Sequence, residues 1–205
     1  MKLSASLLCV AAAAALSLSV QAQQVVPDLT RGAALYNQMC MVCHGVNGNS
    51  TMPANPSLAQ QHPEYLIKQL QDYKSGKRES AIMRGFAAAL SDADKRDISF
   101  WLAAQTKTPG YAQADIESVQ LGKRIFRGGI ADRRIASCAA CHGPGGAGIP
   151  AQFPRLAGQH AEYTISQMKA FRDGTRKNSP MMAGVAARMN DREIRAVSDY
   201  IAGLR

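Results

Sequence analysis

Apolar positions recur at helical spacing along most of this chain. In "SDADKRDISFWLAAQ", Ile98, Trp101 and Leu102 share one face; in "NDREIRAVSDYIAGL", Val197, Tyr200 and Ile201 do the same. Two further runs, "PEYLIKQLQDYKSG" and "AEYTISQMKAFRDG", predict a middle helix in each half, the first carrying Tyr65, Leu66, Gln69, Leu70 and Tyr73 and stopping at Gly76. An earlier helix in each half is predicted to open at Thr30 or Ser118, and the last helices at Ser91 or Asn190. Gly32 and Gly122 are costly inside helices. They predict close approach of the last helix, with Tyr36 packing on Trp101 and Phe126 on Tyr200. No alternating strand pattern occurs, so the fold class is all-α.

The helices come in two sets because the chain is duplicated. Shifted by 98 residues, Leu58, Ala59, Gln61, His62, Glu64, Tyr65, Gln69, Gly76 and Arg78 fall on Leu156, Ala157, Gln159, His160, Glu162, Tyr163, Gln167, Gly174 and Arg176. One residue enters the second copy later, so that Met83 meets Met182. About eight extra residues precede its cysteines, within "RGGIADRRIAS". Two units of under ~100 residues are each marginal without added support. The boundaries read as 23–108 and 109–205.

Each unit holds one C-x-x-C-H motif: Cys40, Cys43 and His44, then Cys138, Cys141 and His142. The only other cysteine is Cys9. A disulfide within C-x-x-C closes a tiny loop and removes little chain entropy. Zinc wants four ligands per ion, and a thioredoxin-like site wants a strand before the motif. None of these explains a histidine directly after both pairs. Covalent c-type haem does: two thioethers from the thiols, and the imidazole on the iron. The expected cofactors are two covalently bound haem c groups. Each adds an apolar body to a small core.

Haem iron has a second axial face, often taken in electron carriers by methionine sulfur. Met39, Met41 and Met52 meet Ser137, Ala139 and Pro150, while Met168, Met181 and Met189 meet Leu70, Ile82 and Leu90. Only Met83 and Met182 meet each other, which makes them the preferred second ligands. His62 and His160, also kept in both copies, are the rivals.

With both C-x-x-C-H-G motifs, "LAQQHPEYLIKQL" beside "LAGQHAEYTISQM", "GKR" beside "GTR", and "LGKRIFRGG" opening the second unit, the chain resembles the dihaem cytochrome c4 family. Those proteins are two tandem class I cytochrome c domains, each a small helical shell around one haem. The resemblance implies His44 and His142 as proximal ligands and Met83 and Met182 as distal ones. It also implies that the Pro56 and Pro154 carbonyls accept the other N–H of each proximal histidine, which fixes the ring. The family shuttles electrons in the periplasm, often toward a terminal oxidase. "NDREI", where many relatives read "LSD" and an acidic residue, is a departure that leaves the ligands intact.

The N-terminus "MKLSASLLCVAAAAALSLSVQAQQ" has one early charge, a short apolar run and a small-x-small ending, which predicts a signal peptide at 1–22 cleaved after Ala22. A retained anchor is the alternative, although spanning needs about 20 apolar residues. The expected location is the periplasm. Net charge is +9, with +2 in 23–108 and +6 in 109–205, and Arg124, Arg127, Arg133 and Arg134 cluster near the extra segment. That basic second unit suits an acidic redox partner or peripheral contact with an anionic membrane, and the family resemblance implies redox protein partners that include a membrane-bound terminal oxidase. Nucleic acid is not an expected partner for an exported haem protein. The expected function is electron carriage rather than catalysis. Its alternatives are a peroxidase-like or thiosulfate-oxidising dihaem enzyme, and a bound electron-accepting subunit of a dehydrogenase.

Overall fold

The computed structural model describes residues 26–205. The expected signal peptide lies outside the described residues. Among the described residues ten α-helices run in chain order: α1 (Leu29–Met39), α2 (Met41–His44), α3 (Pro63–Ser75), α4 (Ala81–Ala89), α5 (Asp92–Ala103), α6 (Ile116–Gly128), α7 (Cys138–His142), α8 (Ala161–Arg172), α9 (Pro180–Ala186) and α10 (Asp191–Ala202). Among the described residues there is no β-strand, only three isolated bridges. No helix among them is long and apolar enough to cross a membrane.

The helices sort into two similar sets. In the first, α1 crosses α5, and α3 packs on α4 and α5; in the second, α6 crosses α10, and α8 packs on α9 and α10. The crossings sit at Gly32 and Gly122. A Cβ on Gly32 would meet the Asp97 carbonyl oxygen at 2.3 Å, and one on Gly122 the Ala196 oxygen at 2.1 Å. The missing side chain lets two backbones touch. Beside each crossing an aromatic pair closes the core, with Tyr36 and Trp101 centroids 4.8 Å apart and Phe126 and Tyr200 5.6 Å apart.

The last helices open at Ser91 and Asn190, each in a reciprocal capping box, with Asp94 and Glu193 at the third position. The first helices open elsewhere than expected. Asp28 and Asp115, not Thr30 and Ser118, are the caps, accepting from the Arg31 and Ser118 N–H at 2.9 Å. A carboxylate both accepts the orphan N–H and faces the positive end of the helix dipole, so the aspartates upstream win. The structure also adds a short helix that the pattern reading did not resolve, α4 and its counterpart α9, which carry Met83 and Met182.

The two sets join along a seam that repeats itself. The Gln159 side chain bonds both ways with the Ser57 backbone, accepting from N–H at 3.0 Å and donating to the carbonyl at 2.9 Å. The Gln61 side chain does the same with the Arg155 backbone, at 2.8 and 3.0 Å. Since 57 and 61 match 155 and 159 under the repeat, the units meet as the halves of an isologous dimer would.

Gly122→Ala is expected to lower unfolding stability by about 2–3 kcal/mol, because the added methyl has no space between two backbones. Gly128→Ala, with nothing within 4 Å of the new atom, should stay within about 1 kcal/mol of the parent or gain slightly. Denaturant titration of both variants checks the pair.

Candidate haem sites

Both cysteine motifs form a single helical turn, directly after α1 in the first set and, in the second, after the extra segment that follows α6. The histidine closes the turn, and the glycine after it reverses the chain: Gly45 at φ 76° and Gly143 at φ 78°. A side chain at Gly45 would also meet the Asn49 carbonyl oxygen at 2.0 Å. That explains why the motif reads C-x-x-C-H-G in both copies. In the first unit the buried Tyr36 hydroxyl donates to the Gly45 carbonyl at 2.6 Å, tying α1 to the turn.

His44 and His142 are buried, at 8% and 5% exposure. Each Nδ1–H donates to a proline carbonyl twelve residues on, Pro56 or Pro154, at 2.9 Å in both units. With Nδ1 committed, Nε2 carries the free lone pair, and it has no hydrogen-bond partner among the described residues. Burial pulls both imidazoles below the usual histidine pKa, against the raising effect of the carbonyl bond, so they are neutral near pH 7.

Cys40, Cys43, Cys138 and Cys141 are free, half-buried thiols. Burial pushes Cys40 and Cys138 up to about 11, helped in each case by the second cysteine of the pair. They are therefore neutral thiols rather than the activated thiolates of a redox pair. Among the described residues no three His, Cys, Asp or Glu side chains converge as a metal cage. The donor set instead suits a large apolar group. Cys138, Ala139, Leu156, Ile165, Met182 and Val185 are only partly buried against the core of Ile125, Phe126, Met168 and Ile194. Cys40, Met41, Leu58, Leu70 and Trp101 stand likewise against Tyr36, Leu66 and Leu102. Apolar side chains left half-covered beside paired thiols and a free imidazole nitrogen fit a covalently attached haem.

Met83 and Met182 are half-buried in the first turn of α4 and α9. Each turn is held by an N-cap serine: Ser80 accepts from the Met83 N–H at 3.2 Å, and Ser179 from the Met182 N–H at 3.4 Å. Met182 lies on the same apolar cluster as Cys138. The rival histidines go elsewhere. His160 Nε2 lies 2.8 Å from the Ser50 carbonyl across the seam, and His62 Nε2 is buried against Gly148. The basic cluster also divides. Arg133 pairs with Glu193 and donates to the Arg188 carbonyl at 2.9 Å, while Arg124 and Arg127 stay exposed on α6. The sequence pattern passed over the cap serines and the seam glutamines and arginines. Their one signal was identity or near-identity between the copies.

A helical pair of units, each with one haem-attachment turn, defines a tandem dihaem protein. The comparisons narrow this. The cytochrome c family model matches residues 29–106 and again 119–205. The chain is 45% identical over 183 residues to cytochrome c4 of Thiocapsa roseopersicina, covering 87% of this chain and 94% of that one. It is 40% identical over 201 residues to the thiosulfate dehydrogenase electron acceptor of Stutzerimonas stutzeri strain A1501, covering 95% and 93%. The crystal structure of reduced recombinant cytochrome c4 from Pseudomonas stutzeri superposes with a TM-score of 0.83 at 41% identity, over 88% of this chain and all of that one. This chain belongs to the cytochrome c4 family. It is an electron-transfer cytochrome with two covalently bound haem c groups.

Ser80→Ala and Ser179→Ala should each cost about 1 kcal/mol of stability by uncapping a short helix. Hydrogen exchange is expected to quicken in α4 or α9 of the altered unit alone.

Proposed function

We propose that this chain carries electrons one at a time between redox proteins of the periplasm, after loss of residues 1–22, with domains at 23–108 and 109–205. Cys40 and Cys43 hold one haem by thioethers, Cys138 and Cys141 the other. His44 and Met83 ligate the first iron, His142 and Met182 the second. The haem supplies an iron that changes charge by one unit. The protein holds its surroundings still. The Pro56 and Pro154 carbonyls orient the imidazoles and raise their basicity, and the capped turns of α4 and α9 hold the sulfurs.

The observation that carries this reading is the equality of the two sites. Each unit presents the same histidine–proline bond at 2.9 Å and the same capped methionine turn. A dihaem peroxidase or thiosulfate-oxidising enzyme needs one iron with an open face and a proton-transferring neighbour. Two alike, methionine-closed sites favour a carrier instead. The relative named as an electron acceptor of thiosulfate dehydrogenase supports a second reading, in which a dehydrogenase is the donor. A terminal oxidase remains the acceptor in the first reading, and the two are compatible.

Partners dock where the units expose suitable surface. In the first, Val42, Val46 and Ile82 are exposed apolar side chains flanking Cys43, His44 and Met83. In the second, the net charge is +6, with Arg124 and Arg127 exposed and unpaired among the described residues. This favours an acidic protein partner.

Met83→Ala and Met182→Ala are each expected to remove about half of the sulfur-to-iron charge-transfer absorption and to open one iron to carbon monoxide, while the parent binds little. Prompt stoichiometric carbon monoxide binding by the parent would favour the enzyme reading. Electron transfer to an acidic partner should slow as salt rises, and the double variant Arg124→Gln, Arg127→Gln should flatten that dependence. A rate indifferent to salt would contradict the docking assignment.

A further inference from the structure

Several seam contacts are reciprocal. Arg78 Nη2 donates to Gln167 Oε1 and Arg176 Nη2 to Gln69 Oε1, at 2.8 and 3.2 Å, and the two arginines form an antiparallel backbone bridge. At one place the symmetry fails. His62 and His160 match under the repeat and are held alike. Each is the N-cap residue of its helix, α3 or α8, and each backbone N–H donates to the side chain of the preceding glutamine at 3.0 Å. Their rings end differently. His160 Nε2 meets the Ser50 carbonyl of the other unit at 2.8 Å. Facing a carbonyl, that nitrogen carries the proton and donates. His62 Nε2 is buried with no partner among the described residues.

The cause lies in the loops that the rings meet. Ser50 and Gly148 match under the repeat. Gly148 has φ 84°, a conformation that glycine adopts freely. A Cβ there would lie 2.6 Å from His62 Nε2. His62 therefore packs against a bare glycine, where His160 finds a carbonyl.

Ser50 also carries the contact onward to the first haem turn. It is buried. Its hydroxyl accepts from the Met52 N–H at 3.1 Å and lies 3.4 Å from the carbonyl of Cys43, the cysteine before His44. Asn55 Nδ2 donates to that same Cys43 carbonyl at 3.0 Å. In the second unit Gly148 and Phe153 replace Ser50 and Asn55, and neither side chain can bond the Cys141 carbonyl. A chain of hydrogen bonds thus runs from α8 through Ser50 to the turn of Cys43, with no counterpart from α3 to the turn of Cys141.

We infer that His160 is a positioning residue for the haem of the other unit: through Ser50 it holds the first attachment turn, and His62 does nothing equivalent for the second. This rests on the dihaem reading above and gives it a direction. The first haem's potential depends on the second unit being docked, and the second haem has no such dependence through His62. Without the bond, the Ser50 carbonyl loses its donor, the loop over 50–55 loosens and water reaches the first haem. Water favours the more highly charged oxidised state, so the potential falls.

Redox titration of the holoprotein, followed at the sulfur-to-iron charge-transfer absorption, tests this. A Met182→Ala background reports the first haem alone, and a Met83→Ala background the second. In the first background His160→Ala should raise the oxidised-to-reduced ratio at fixed potential about threefold, the net worth of one hydrogen bond. His160→Gln, which keeps a donor, should restore most of it. Ser50→Ala keeps the bond from His160 and cuts the link to Cys43. It should move the same haem the same way, and combining it with His160→Ala should change little further. In the second background His160→Ala should leave the ratio nearly in place, as should His62→Ala in both. The inference is overturned if His160→Ala leaves the first haem unmoved, if it moves both haems alike, or if His62→Ala moves the second haem as far. An absorption that neither methionine variant halves would instead overturn the ligand reading beneath it.

Discussion

A buried imidazole with one nitrogen already committed is the constraint on which this protein depends. His44 and His142 each give Nδ1 to a proline carbonyl at the same distance, and the rest of each unit follows from holding that bond. The glycine after the histidine turns the chain back, so that a loop can return with the proline twelve residues later. In the first unit α1 leads straight into the cysteine turn, and in the second the extra segment lies between α6 and it. The last helix crosses the first at a glycine so closely that the two backbones leave no room for a methyl. Burial keeps the ring neutral, and Nε2 is the nitrogen left for a metal.

Duplication turns one such unit into a device with two stations. Because the units meet through matching segments, several polar side chains that bind in one unit bind again in reverse, although His160 reaches the Ser50 carbonyl and its counterpart His62 Nε2 has no such bond. Gln61 and Gln159 show this with backbone groups, and Arg78 and Arg176 with side chains. The seam is polar and hydrogen-bonded rather than an apolar face, which gives it orientation as well as adhesion. The copies then diverge where they face outward. The first leaves apolar side chains exposed beside its cysteine turn, and the second carries the larger positive charge and the extra segment.

Much of this was legible in the residues. Helical spacing and two shifted copies point to paired all-α units, and Gly32 with Gly122 mark the place where the first and last helices of each unit cross. What escaped had physical reasons. Thr30 and Ser118 looked like caps because hydroxyls suit that role, but aspartates upstream bring a charge to the helix dipole. The short helices bearing Met83 and Met182 escaped because seven or nine residues give too few turns for periodicity to show. Arg133 read as part of a docking surface, yet pairing with Glu193 makes it a brace for the extra segment. Seam arginines looked like any other conserved-in-both-copies charge, since neither burial nor facing can be read from spacing.

The central claim is that each of the two histidine turns holds a covalently attached haem. The intact mass of the exported protein after denaturation tests it most directly. The account predicts a polypeptide beginning at Gln23 and carrying the added mass of two haems that acid and organic solvent do not remove. A bare polypeptide, or one carrying a single haem, would contradict it.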